Sequence, residues 1–120
     1  MTATLAPIEV PLRTSSGLNA REHPMTRAKR VKAERDCVHW MLAGKPKPEL
    51  PCVVTLTRTA PSAGLDDDNL VGALKAVRDQ VALWLGVDDK HRDQVRYQYE
   101  QARGPWGVRI EFKTMQEVPC

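Results

Sequence analysis

Two periods of hydrophobicity alternate along this chain, and the switches between them mark its elements. In "PIEVPL" the apolar positions Ile8, Val10 and Leu12 recur every second residue, which predicts a first strand, and the flanking prolines suit a sheet edge or a strand end. "RTSSGLN" is a polar loop. Thr26 is placed to cap a helix running to about Ala43, with Val31, Val38, Met41 and Leu42 on its apolar side and Gly44 as its stop. "KPKPELP" cannot continue a helix and reads as an extended connector. The β-branched "CVVTLTRT", with Cys52, Val54 and Leu56 on one face, predicts a second strand. The period then changes: Leu70, Leu74, Val77, Val81, Trp84 and Leu85 form the stripe of a helix pressed on a sheet, from about Asn69 to Leu85, ended by Gly86. Finally "QVRYQYEQA" and "WGVRIEFK" both alternate across a turn-like "RGP", which predicts a β-hairpin with Val95, Tyr97 and Tyr99 facing Val108, Ile110 and Phe112.

The predicted order is β-α-β-α-β-β. The helical crossover after the second strand favours a parallel pair, and the final hairpin is antiparallel. The expected class is therefore α+β: a small mixed β-sheet with two helices packed on one face. The length of 120 residues suits a single domain, 1–120, and a domain of this size often completes its core as a homodimer.

Composition narrows the class without naming a function. Hydrophobic residues make up 42% and charged residues 28%, as in soluble globular proteins. No apolar run is long enough to span a bilayer, and the first residues lack a signal-peptide pattern, so no membrane partner and a cytoplasmic location are expected. Cys37, Cys52 and Cys120 are odd in number and far apart, which argues against a disulfide framework or zinc site; Cys37 and Cys52 read as small hydrophobes. His23, His39 and His91 lack metal-ligand spacing.

Charge is uneven. The net charge is +3, yet residues 1–60 hold ten Lys/Arg against five Asp/Glu, whereas residues 61–120 hold eight against ten. The excess peaks in "REHPMTRAKRVKAER". Arg21, Arg27, Lys29, Arg30 and Lys32 are the candidate phosphate contacts there, beside the alternative of a solvated helix face.

The opposite sign gathers in "LDDDNLVGALKAVRDQVALWLGVDDK", with Asp66, Asp67 and Asp68 before the second helix and Asp88 and Asp89 after it. One acid can cap the helix. Three in a row repel one another and call for a cation. Asp66 and Asp68 can project to one side as hard oxygen ligands for Mg²⁺. Asp89 could join them only if the chain after the helix returns toward the helix start. Position six of a calcium loop counted from Asp66 would be Val71 instead of Gly, which excludes an EF-hand. Lys75 either leans back toward the aspartates or pairs with Asp79 one turn on.

"DDDNLVGALKAVRD…LGVDD" resembles the signature of the RusA family of Holliday-junction resolvases: D-x-D-N-L, a lysine in the following helix, and a later D-D. The resemblance covers roughly residues 60–112. Here Lys75 stands three residues after the family's usual lysine position, which is Gly72. The resemblance implies a homodimeric endodeoxyribonuclease that uses Mg²⁺, or Mn²⁺, to make paired symmetric nicks in four-way DNA during recombination and repair. It implies Asp66, Asp68 and Asp89 as metal ligands and Lys75 as an electrostatic catalyst. Two alternatives stand beside it: a catalytically weakened protein that binds branched DNA, and a non-enzymatic α+β interaction domain whose acids only cap and solubilise.

Overall fold

The computed structural model describes residues 5–14, 23–62, 64–87 and 93–115. The elements follow as β1 (Ile8–Val10), α1 (Pro24–Leu42), β2 (Cys52–Ala60), α2 (Asp67–Ala73), α3 (Lys75–Leu85), β3 (Val95–Arg103) and β4 (Gly107–Thr114). The class is α+β, with a four-stranded mixed sheet in the order β1-β4-β2-β3. No helix among the described residues is long and apolar enough to cross a membrane.

β2 is the centre of the sheet. It pairs in parallel with β3, from Cys52↔Val95 to Ala60↔Arg103, and antiparallel with β4, from Cys52↔Thr114 to Thr59↔Gly107. β1 pairs antiparallel with the far side of β4. β1, β2 and β3 therefore run the same way. Both helical crossovers move in one direction across the sheet, with their helices on one face, as the handedness of such connections requires.

The expected hairpin between the last two strands does not form. β3 and β4 run in opposite senses but are separated by β2, and each pairs with it instead. The linker Gly104–Trp106 steps across the end of β2. Two strand spacings amount to about 10 Å, which three residues can bridge. Gly104 N–H donates to the Ala60 carbonyl at 3.0 Å, tying the linker to the strand it crosses. A Cβ on Gly104 would lie 2.9 Å from Thr59 Cγ2, so a larger residue at this crossing has to displace the Thr59 side chain. Inserting the most apolar strand between the two others lets β2 satisfy its backbone on both sides and bury nearly its whole length.

The core lies between the sheet and the helices. Cys52, Val54, Leu56, Val108, Ile110 and Phe112 face Val38, Leu42, Leu70, Leu74, Val77 and Val81, and Trp84 packs on Phe112 with ring centroids 5.5 Å apart. The other sheet face is polar, carrying the exposed Arg96, Gln98, Glu100, Arg109 and Lys113.

Two helix expectations change in detail. α1 starts earlier than Thr26: Pro24 occupies its first turn, and His23 Nδ1 accepts from Met25 N–H at 3.2 Å as the cap. Residues 23–29 are all exposed, so the first turns of α1 overhang the core. The second helix is divided. At the fully buried Leu74 (φ −100°, ψ 4°) the N–H is shared between the Leu70 and Val71 carbonyls, both at 3.2 Å, which tightens the turn next to the poor helix-former Gly72. Arg78 N–H still reaches the Leu74 carbonyl at 2.9 Å, so α2 and α3 remain one run with a bend. Gly86 closes it in the left-handed conformation at φ 76°.

Gly104→Ala is expected to lower stability by roughly 1–3 kcal/mol through overpacking against Thr59, and Thr59→Ser in the same chain should recover part of the loss. Urea unfolding of the two single variants and the double variant measures this. A second expectation concerns Tyr97, whose phenol burial pushes up to about 12. Its raised value favours the neutral phenol in the folded state. That stability is complete below the unfolded value of about 10 and is lost as pH rises toward 12. An absorbance titration at alkaline pH should show one late phenolate, absent in Tyr97→Phe.

Candidate functional site

The topology collects one end of the molecule. Because β1, β2 and β3 run in parallel, their carboxyl ends lie together. α1 and α2 both start from that end, and the β3–β4 linker crosses it. Open α/β sheets bind ligands beyond the carboxyl ends of their parallel strands.

Asp66 stands at this end as the N-cap of α2. Its Oδ1 accepts the Asn69 N–H at 2.9 Å and the Asn69 Nδ2 at 2.8 Å. The capping role thus belongs to Asp66, and Asn69 holds its carboxylate in one orientation. Oδ2 has no hydrogen-bond partner among the described residues. Asp67 and Asp68 occupy the first turn and are exposed. Gln101 on β3 fixes the approach to this turn: its Nε2 donates to the Leu65 carbonyl at 2.6 Å, and its Oε1 accepts the Leu65 N–H at 3.2 Å. The residue type and position of Gln101 carry no sequence signal for this clasp, because it depends on which strand lies beside the loop.

The expected third carboxylate, Asp89, cannot be placed with them from the described residues. Asp88 and Asp89 lie outside the described residues. Val87 and Asp93, on either side of them, lie at the far end of the α2–α3 run, about 28 Å of helix from Asp66. Among the described residues no group of three or more His, Cys, Asp or Glu side chains is arranged to hold a metal ion. Asp66 and Asp68 still offer two hard carboxylates on neighbouring positions, a set suited to Mg²⁺ that keeps water and takes further oxygens from a phosphate.

Lys75 does not lean back to the aspartates. Its Nζ pairs with Asp79 Oδ2 at 2.8 Å, one turn further on, and Arg78 Nη2 reaches the other Asp79 oxygen at 3.1 Å. Partial burial works against the Asp79 charge, but the bonds from Lys75 and Arg78 outweigh it and lower its pKa.

The basic helix divides by role. Arg21 lies outside the described residues. Arg30 Nη1 pairs at 2.8 Å with Glu34, which is 2% exposed and occupies a core-facing position in line with Val38 and Leu42, so Arg30 serves packing. Lys32 pairs with Asp36 at 2.7 Å in solvent, and Lys29 is exposed. Arg27, Lys32 and Arg35 line a groove of about 650 Å³ along α1 that Val31 floors and Gln80 of α3 closes. Arg35 Nε donates to Gln80 Oε1 at 3.2 Å, which sets the cationic wall against α3. Arg35 and Gln80 are the groove residues that helical spacing alone did not pair.

Cys52 is buried and Cys37 half-buried; both are free thiols whose pKa burial raises, as expected of small hydrophobes. Asp66→Ala should cost about 1 kcal/mol by removing the cap, whereas Asp68→Ala should stay within about 0.5 kcal/mol, both read by urea unfolding. Compared with known proteins, the chain matches no family model, no curated protein and no solved structure.

Proposed function

We propose that the protein is a metal-dependent nuclease acting on branched DNA, of the type its D-x-D-N-L element resembles. The observation that carries this reading is the pair Asp66 and Asp68, exposed at the carboxyl end of β2, on the same side of the sheet as the overhanging basic start of α1. An acidic pair alone repels DNA. An acidic pair together with a groove lined by Arg27, Lys32 and Arg35 suits a substrate whose phosphates are held by cations and whose scissile phosphate meets a metal.

In this reading Asp66 and Asp68 hold Mg²⁺ or Mn²⁺, and Asp89 is a further candidate ligand by resemblance alone. Bound there, the ion supplies a Lewis acid for the phosphoryl oxygens and an activated water. Asn69 keeps Asp66 from turning away as charge builds at the phosphate. Arg27, Lys29, Lys32 and Arg35 hold the DNA backbone without reading bases. Lys75 can serve the reaction only by exchanging Asp79 for the substrate. A two-fold homodimer would present two sites to the two symmetric strands of a four-way junction.

The Lys75–Asp79 pair favours a second reading, a protein that binds branched DNA and cuts it weakly or not at all. A labelled four-way junction separates the two. The nuclease yields paired nicks with Mg²⁺ or Mn²⁺ and none with chelator, and Asp68→Asn abolishes them while leaving the melting curve in place. Salt-sensitive binding with no product under either ion selects the second reading. Cleavage that persists in Asp68→Asn would overturn the proposed site. Lys75→Met is expected to change stability by no more than about 0.5 kcal/mol, since exposed pairs contribute little, so a loss of cleavage in that variant reports on the reaction.

A further inference from the structure

Arg58 takes an inward position on the central strand, in line with Cys52, Val54 and Leu56, and is 4% exposed. Its Nε donates to Thr14 Oγ1 at 2.9 Å and its Nη1 to the Ser62 carbonyl at 3.3 Å. Both acceptors are neutral. Buried charges ordinarily have an opposite partner, as Glu34 has Arg30. No carboxylate lies within ion-pair distance of Arg58 or Arg13 among the described residues.

The two guanidiniums share one aromatic ring. Arg58 lies 5.5 Å and the exposed Arg13 4.7 Å from the centre of Trp106. Trp106 is 36% exposed, in the linker that crosses β2 and is pinned to it through Gly104. An indole with two cations, and among the described residues no carboxylate in ion-pair contact with either, is therefore presented at the end of the sheet where α2 begins.

We propose that Trp106, Arg13 and Arg58 form a nucleotide platform, on which an unpaired base of a DNA strand stacks against the exposed part of the indole while its phosphate lies beside the exposed Arg13, and the buried Arg58 adds positive potential from within the fold. Guanidinium groups match phosphate geometry, and aromatic stacking accepts any base. The bases of an intact duplex are hidden in their own stack, so the platform selects strands with an unstacked nucleotide, such as those at a branch point. The proposal rests on the nucleic-acid reading above and narrows it to a feature of the substrate.

Binding of a short labelled single strand, and of a duplex of the same sequence, is measured by anisotropy for the whole chain. Trp106→Leu keeps an apolar cover over Arg58 and should weaken single-strand binding roughly five- to a hundredfold, with less than about a twofold change on duplex. Trp106→Phe should retain most of the affinity. Arg13→Gln, at an exposed position, should weaken single-strand binding and flatten its salt dependence. Equal losses on both DNAs, or none on the single strand, would overturn the platform. If the unaltered protein binds neither DNA, the nucleic-acid reading falls and the platform with it. If it binds both and neither Trp106→Leu nor Arg13→Gln alters single-strand affinity, the platform alone falls.

Discussion

The pairing of β2 on both sides is the constraint on which the rest of the molecule depends. A strand buried on two faces and hydrogen-bonded along two edges has no backbone group left for water. Its neighbours must therefore match its length, and β3 and β4 do so with nine and eight residues. Once β2 lies between them, the three-residue linker has to pass over its end, and Gly104 makes the passage against the Thr59 side chain. The same arrangement sends the continuation of β2 toward the helix side, where Gln101 catches Leu65 and delivers Asp66 to the start of α2.

The groups of the proposed sites are gathered by strand direction more than by proximity in sequence. Arg13 and Thr14 follow β1, Arg58 and Ser62 belong to β2 and its exit, Asp66 begins α2, and Trp106 precedes β4. Three parallel strands bring these separate stretches to one end. That end carries both signs of charge. The acids are exposed on α2, whereas the cations lie in the α1 groove and around the indole. Such separation is what a phosphodiester substrate with a bound cation requires, since the diester needs positive potential along its length and a metal-holding carboxylate at one point.

The two buried charges of the described fold are handled differently. Glu34 interrupts the apolar side of α1, and Arg30, one turn earlier, supplies its positive partner. Among the described residues Arg58 has neutral acceptors and an aromatic ring, although burial works against its charge and lowers its pKa. The first has its ion-pair partner within the chain. The second has no carboxylate partner among the described residues, and the ring beside it is partly exposed.

Local periodicity in the sequence determined the α+β class, the four strands as the segments 7–12, 52–59, 94–102 and 106–113, the stripe from Leu70 to Leu85 and the end of that run at Gly86. Each of these depends on neighbours within one or two turns or on alternate residues of one strand. Arg58 shares the parity of Cys52, Val54 and Leu56 and turns inward with them, but its neighbours Thr14 and Trp106 come from distant stretches that only the sheet brings together. Strand order was not legible. Two alternating segments joined by three residues can pair with each other or flank a third strand, and the choice depends on how β2 satisfies its backbone. Nor could helical spacing decide between Asp68 and Asp79 as the neighbour of Lys75, since both lie within reach of a flexible side chain. The tertiary structure decided these points, because pairing partners, crossing loops and counter-charges are set by elements that meet only after the sheet has closed around β2.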